Sequence, residues 1–186
     1  ASYVTSVEAN GHTTYYTSFI DAVNASNAIK SECKLTMLAD TEITNEDYEN
    51  IPEIKSFLTL DLNGYTITNK VTQVLLYVCS PANVTICDSS TQQTGRMVNE
   101  STSSPQVINL QSGNLTIAGG TFESVGYLGY ALSIQGNQDD TLNIEGGTFI
   151  GRVDIPGGTY AIPTSISRGT FTNLNVFWSP LSSVLA

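Results

Sequence analysis

LNIEGGTF, residues 142–149, is followed by VDIPGGTY at 153–160 and by SISRGTF at 165–171. A six-residue unit, Ile-x-Gly-Gly-Thr-aromatic, is being repeated. Upstream lie Ile117-Ala-Gly-Gly-Thr-Phe122 and a looser copy, Leu62-Asn-Gly-Tyr-Thr-Ile67, while NVTICDSS (83–90) carries a degenerate one with Ile86 in the Ile position. Taking the Ile positions as 62, 86, 117, 144, 155 and 166, the steps are 24, 31, 27, 11 and 11 residues. A recurring interval of roughly 20–30 residues marks a solenoid, in which one coil stacks on the next.

Each letter of the unit has a physical reason in such a coil. Ile and the aromatic face inward on either side of a bend, and the central glycine supplies the backbone conformation that the bend demands. Thr faces outward, where β-branching suits extended chain. Coils stack about 4.8 Å apart, so Phe122, Phe149 and Phe171 are expected to form one ladder and Ile117, Ile144 and Ile166 another. About 11 residues cannot close a coil around a filled core, so the two short steps are halves of a 22-residue coil and Ile155 belongs to another face.

Composition narrows the function classes. The 186 residues include 7 Lys+Arg against 17 Asp+Glu, a formal net charge of −10. Such a surface repels phosphate backbones and anionic lipid, which argues against nucleic-acid binding. The longest apolar run, VLLYVC (74–79), is far short of the roughly 20 residues a membrane helix needs, so no membrane insertion is expected. The chain begins at Ala1, which fits a secreted protein trimmed of its leader and equally a piece of a larger protein. Cys33, Cys79 and Cys87 have no metal-ligand spacing; they read as buried thiols, with a Cys79–Cys87 disulfide as the alternative.

Outward from the repeat, YYTSFIDAVNASNAI (15–29) is the one helical segment. Ser18-x-x-Asp21 forms a capping box, Phe19, Ala22, Val23 and Ile29 recur at helical spacing, and a helix over 17–28 is expected to close the solenoid. Asn10-Gly11 marks a hairpin before it. SSTQQTGRMVNESTSSPQ (89–106) reads as a loop, and Trp178, with Val176, Phe177 and Leu181, as a cap on the C-terminal end. The fold class is therefore all-β: a single-stranded right-handed parallel β-helix of about six coils with a short N-terminal capping helix. One domain spans 1–186, with hairpin and helix over 1–32, coils over 33–175 and the C-terminal cap over 176–186.

LTLDLNGYTIT (58–68), LTIAGGTF and LNIEGGTF resemble secreted and surface proteins of the pectate-lyase-like right-handed β-helix superfamily, in pattern those of Gram-positive, often gut-dwelling, bacteria. Tyr16-Thr-Ser18…Ala22, Leu38-Ala-Asp40 and the 88–97 segment match the order of elements in those proteins, over roughly 15–175. The resemblance implies the β-helix fold and an extracellular or cell-surface setting. It also implies where catalysis sits in members that have it: an Arg or Lys base beside Ca²⁺-binding acids in the lyases, clustered aspartates in the hydrolases.

The residues themselves offer modest chemistry. Outward positions beside the repeated Ile are Asp61, Thr116, Asn143, Asp154 and Ser165. If the chain is a polysaccharide lyase or glycoside hydrolase, Asp154 with Arg152 and Arg168 is its catalytic set, against the alternative of a surface ion pair. Asp139 and Asp140, with Asn137, are Ca²⁺ candidates, against a polar turn; no other cofactor is expected. His12 is the one histidine and sits beside the hairpin turn, which excludes a His-dependent triad. Tyr127 and Tyr130, in VGYLGY (125–130), are candidate sugar-stacking side chains. The outward row Thr121, Thr148, Thr170 suggests an ice-binding array, whose lattice match the unequal intervals would spoil. The expectation is a non-catalytic extracellular module that binds neutral glycans or other host and cell-surface molecules, or acts as a spacer, with the enzyme as the alternative.

Overall fold

The structure, a computed structural model, describes residues 2–44, 50–101, 103–126 and 128–177. Its N-terminal end is a hairpin of β1 (Thr5–Ala9) and β2 (His12–Tyr16), turned through Asn10 and Gly11 at φ 52° and 76°, followed by α1 (Phe19–Ala28). Ser18 caps the helix, its hydroxyl accepting from the Asp21 amide at 3.3 Å. Phe19, Ala22 and Val23 bury one helix face in the core, while β1 lies antiparallel against the first coil. Helix and hairpin together cover the N-terminal end, as the capping expectation requires.

From Cys33 onward the chain is a right-handed parallel β-helix of about five turns. Its first face stacks β3 (Cys33–Met37), β6 (Phe57–Asp61), β9 (Asn83–Cys87), β12 (Asn114–Ile117), β15 (Thr141–Ile144) and β17 (Thr164–Ile166). The second stacks β4 (Thr41–Ile43), β7 (Thr66–Asn69), β10 (Arg96–Asn99) and β13 (Thr121–Ser124); the third stacks β5 (Glu53–Ile54), β8 (Val74–Val78), β11 (Gln106–Leu110) and β14 (Tyr130–Ile134). In the last turns β16 (Thr148–Ile155) and β18 (Thr170–Val176) each run through both of these faces. Gly151 makes the bend in β16: its φ is 133°, and a Cβ there would meet the Ala131 nitrogen at 3.0 Å.

The expected ladders form. Ile86, Ile117, Ile144 and Ile166 are consecutive partners on the first face. Phe122 and Phe149 stack with centroids 5.3 Å apart, and Phe149 and Phe171 at 4.9 Å, 7° from parallel. Ile155 lies on the third face, one strand away from Ile144, and the 22-residue step from Ile144 to Ile166 is one coil.

Four details differ from the sequence reading. Leu60, not Leu62, stands below Ile86, so Thr59 takes the outward place beside the ladder, and Asp61 turns into the corner where it is 1% exposed. The 89–106 segment contains β10, because Met97 alone is enough to fill the interior position of the strand, between Ile67 and Phe122 of the neighbouring coils. The β-helix has about five turns rather than six. The Thr row is in register after all, because the loops absorb the unequal intervals; Arg96 interrupts it between Thr66 and Thr121. Trp178 and Leu181, expected in the C-terminal cap, lie outside the described residues.

Sharp corners bury backbone amides, and side-chain oxygens meet them. At the first corner Asp61 accepts from the amides of Asn63 and Ser89, each at 3.0 Å, and Asp88 accepts from Gly64 at 2.9 Å and Gly95 at 2.6 Å. At the second, Asn69 and Asn99 stack with an Nδ2···Oδ1 distance of 3.1 Å, and Asn99 also donates to the carbonyls of Gln73 and Gln106. At the third, Asp140 accepts from Gly113 and Asn137. Asp61, Asn69 and Asn99 end their strands, Asp88 follows one and Asp140 precedes one.

Two outcomes are expected. Phe149→Ala should cost about 3–5 kcal/mol by opening a cavity between two rings of the ladder. Urea denaturation checks it, and a loss below about 1 kcal/mol would contradict a packed ladder. For Asp61, burial raises the carboxyl, but Lys34 at 2.9 Å and the amides of Ser89 and Asn63 outweigh it, and the net position is below the ordinary value. A depressed native pKa means a stabilising carboxylate, fully felt above the unfolded value of about 3.9 and lost as pH falls through the native one. Stability measured from neutral pH down to about 2 should fall less steeply in Asp61→Asn than in the parent protein.

Candidate functional site

The third face is where sequence-flagged residues meet. Its inward row, Leu76–Ile108–Leu132–Val153–Leu174, fills the core. Leu75, Val107 and Ala131, one residue earlier, are buried in the core as well, so the first three strands depart from strict alternation there and leave the positions before and after these buried pairs on the outer side. One outward row runs Gln106–Tyr130–Arg152–Asn173 from coil to coil. Beside it, Glu53, Tyr77, Asn109 and Ser133 form a second row, and Asp154, paired with Asn175, continues it one residue past the Leu132–Val153 pair.

Local contacts bind these rows together. The Arg152 guanidinium lies 4.6 Å from the centroid of the Tyr130 ring and donates to Asp154 Oδ2 at 2.5 Å. Asn175 donates to Asp154 Oδ1 at 2.8 Å and to Asn173 Oδ1 at 3.2 Å. On the other flank Asn109 Nδ2 donates to Gln106 Oε1 at 2.8 Å, whereas Asn109 Oδ1, buried on a residue only 7% exposed, has no partner. Tyr130 and Tyr77 are half-buried, so each presents part of its ring.

Tyr130, Arg152 and Asp154 thus converge, although the sequence suggests two unrelated roles for them. Tyr127 lies outside the described residues. Arg168 sits in the exposed corner between β17 and β18, off the strand that carries Asp154, and makes no ion pair among the described residues. The strands of the third face carry one other carboxylate, Glu53, four coil steps or roughly 19 Å from Asp154. Paired-carboxylate chemistry needs about 5–10 Å. Asp154 itself has both oxygens engaged, by Arg152 and by Asn175.

Asp140 spends its two carboxylate oxygens on backbone amides, and Asn137 Oδ1 accepts from the Asp139 amide at 2.9 Å, which is the geometry of a polar turn. Among the described residues no three His, Cys, Asp or Glu side chains gather as a metal site would require. A trough of about 320 Å³ runs along the first corner, lined by Gly119, Gly120, Thr121, Gly146, Gly147 and Thr148, and has neither aromatic nor charged lining groups. Tyr77, Gln106, Asn109, Ser133 and Asn175 were missed in the sequence. Their signal is faint: polar positions in the apolar runs VLLYV, QVINL and YALSI, which lack the Gly-Gly-Thr unit, and, for Asn175, near the end of TFTNLNV.

Comparison of the chain with protein-family models, with curated proteins and with solved structures finds no match.

All three cysteines are free thiols, and burial is the leading cause that pushes each of them up. Cys79, at the edge of the third face, is pushed up to about 12 by burial and then by Glu53. Iodoacetamide at neutral pH should leave Cys79 unmodified in the native protein and label it only on unfolding, as peptide mass analysis would read. Rapid native-state labelling of Cys79 would contradict this placement.

Proposed function

We propose that the chain is a non-catalytic binding module of a bacterial surface or secreted protein, and that the outer wall of its third face takes a glycan. The observation that carries this reading is the convergence of Tyr130, Tyr77, Arg152 and Asp154 with the amides of Asn109, Asn173 and Asn175 on adjacent rungs of one rigid wall. Aromatic rings offer apolar surface to the C–H faces of sugars, and amides and carboxylates take the hydroxyls. A solenoid suits the task because every rung adds a set of outward groups at a spacing of about 4.8 Å, held by hydrogen bonds between coils. A net charge of −10 favours an uncharged partner over an anionic polysaccharide. The pattern shared with surface proteins of the pectate-lyase-like superfamily supports an extracellular setting.

The isolation of Asp154 from any second carboxylate and its double engagement weigh against hydrolase chemistry at the same wall. Arg152, stacked on Tyr130 and paired with Asp154, is poorly placed to act as a lyase base.

A glycan array probed with the parent protein and with Tyr130→Ala should show weak binding to neutral glycans that the variant loses by about tenfold, the equivalent of about 1.4 kcal/mol of stacking. Silence of the parent protein across the array would leave a structural spacer as the better description. Unsaturated products or reducing ends released from pectate, alginate or a neutral glycan, and abolished in Asp154→Asn, would make it an enzyme.

A further inference from the structure

We infer that Asn109 is the specificity-determining hydrogen-bonding group of the third face, and that the unpartnered end of its amide receives a hydroxyl of an uncharged glycan laid across the coils. The inference rests on the glycan-binding reading and deepens it by naming the residue and the chemistry of the group it selects.

A buried polar atom without a partner is costly, and native proteins keep few of them. Among the described residues the others of this kind are the hydroxyls of Thr5, Ser90 and Ser101 and the Nε of Arg96, whose neighbouring nitrogen already binds Glu123. Asn109 differs in place. It sits in the middle of the wall, between Tyr77 and Ser133 along its row and bonded sideways to Gln106, whose coil partner is Tyr130. Its bond to the outward Gln106 puts the amide on the solvent side of the sheet. Its neighbours there are Tyr77, Ser133 and Gln106, of which Tyr77 and Gln106 are part-exposed, and exposed side chains change rotamer on a picosecond-to-nanosecond scale.

The chemistry of the missing partner follows from the amide. With Nδ2 bonded to Gln106, the free end is the carbonyl oxygen, which needs a donor. If both amides are turned over, their mutual bond survives and the free end becomes the nitrogen, which needs an acceptor. A sugar hydroxyl is donor and acceptor at once and satisfies either. A carboxylated sugar does not fit, because Glu53 and Asp154 stand in the same row and Arg152 is already committed to Asp154.

The discriminating variant is Asn109→Leu, which keeps the branching at Cγ and removes the orphan together with the bond to the part-exposed Gln106, whose oxygen water can then serve. If Asn109 serves only the fold, deleting an unsatisfied polar group leaves stability equal or improved and binding untouched. If it reads the ligand, stability behaves the same way but binding fails. Calorimetric titration of the full chain with cellotetraose, maltotetraose and chitotetraose is expected to show the parent binding at least one of them, with the Leu variant weakened about tenfold or more and its unfolding midpoint unchanged or raised. In parallel, the side-chain amide signal of Asn109 in the ¹⁵N-labelled parent should shift on addition of the bound tetrasaccharide, which requires no variant to fold. Equal affinity of parent and variant, or an Asn109 signal that stays put at saturation, would falsify the role of Asn109 while leaving the glycan reading intact. No binding of any tetrasaccharide by the parent, together with silence on the array, overturns the glycan reading and this inference with it.

Discussion

Everything in this fold depends on one constraint: each coil must offer its backbone groups to the coils above and below, in register, at every corner as well as along every strand. Along the strands this costs nothing special, since parallel ladders satisfy the amides. Corners are harder, because a turning chain aims its N–H groups into the interior. Here Asp61 and Asp88 meet those of the first corner, Asn69 and Asn99 those of the second, and Asp140 those of the third. All five are buried, yet each is tied to backbone. The stacked Ile and Phe rows supply the bulk of the apolar burial, but the corners decide that coils of unequal length can still stack.

That division explains what could be read in the chain and what could not. Interior rows repeat because identical neighbours pack identically, so Ile117–Ile144–Ile166 and Phe122–Phe149–Phe171 were visible as periodic letters. Where a loop intervenes the letters lose their register, and Leu62 passes for a ladder member although Leu60 holds the place. Of the corner residues, Asp61 and Asp140 stand out in the sequence only in other roles, as an outward position and a Ca²⁺ candidate, and Asp88, Asn69 and Asn99 carry no signal of their own. The helix was legible for a local reason, the Ser18 cap, that no tertiary contact overrode.

The third face escaped for another reason. Its strands carry no Gly-Gly-Thr unit, so Tyr130 and Arg152 looked like unrelated residues, one beside a tyrosine-rich loop and the other beside a repeat. They are 22 residues apart, the same step that separates Ile144 from Ile166, and are partners across one coil boundary. A 22-residue spacing of polar or aromatic side chains is thus as informative about a solenoid wall as the spacing of isoleucines is about its core.

Two kinds of buried asparagine sharpen the distinction between what the coils need and what the wall offers. Asn69 and Asn99 use both ends of their amides, on backbone and on one another, and removing either would strand several groups at once. Asn109 is nearly as buried and belongs to the same stack of coils, yet half of its amide does nothing for the fold. Packing cannot account for it, since an aliphatic side chain of that volume would serve better. Its unused end, on the outer wall between Tyr77 and Ser133, is the part of the amide that the proposed glycan contact would employ.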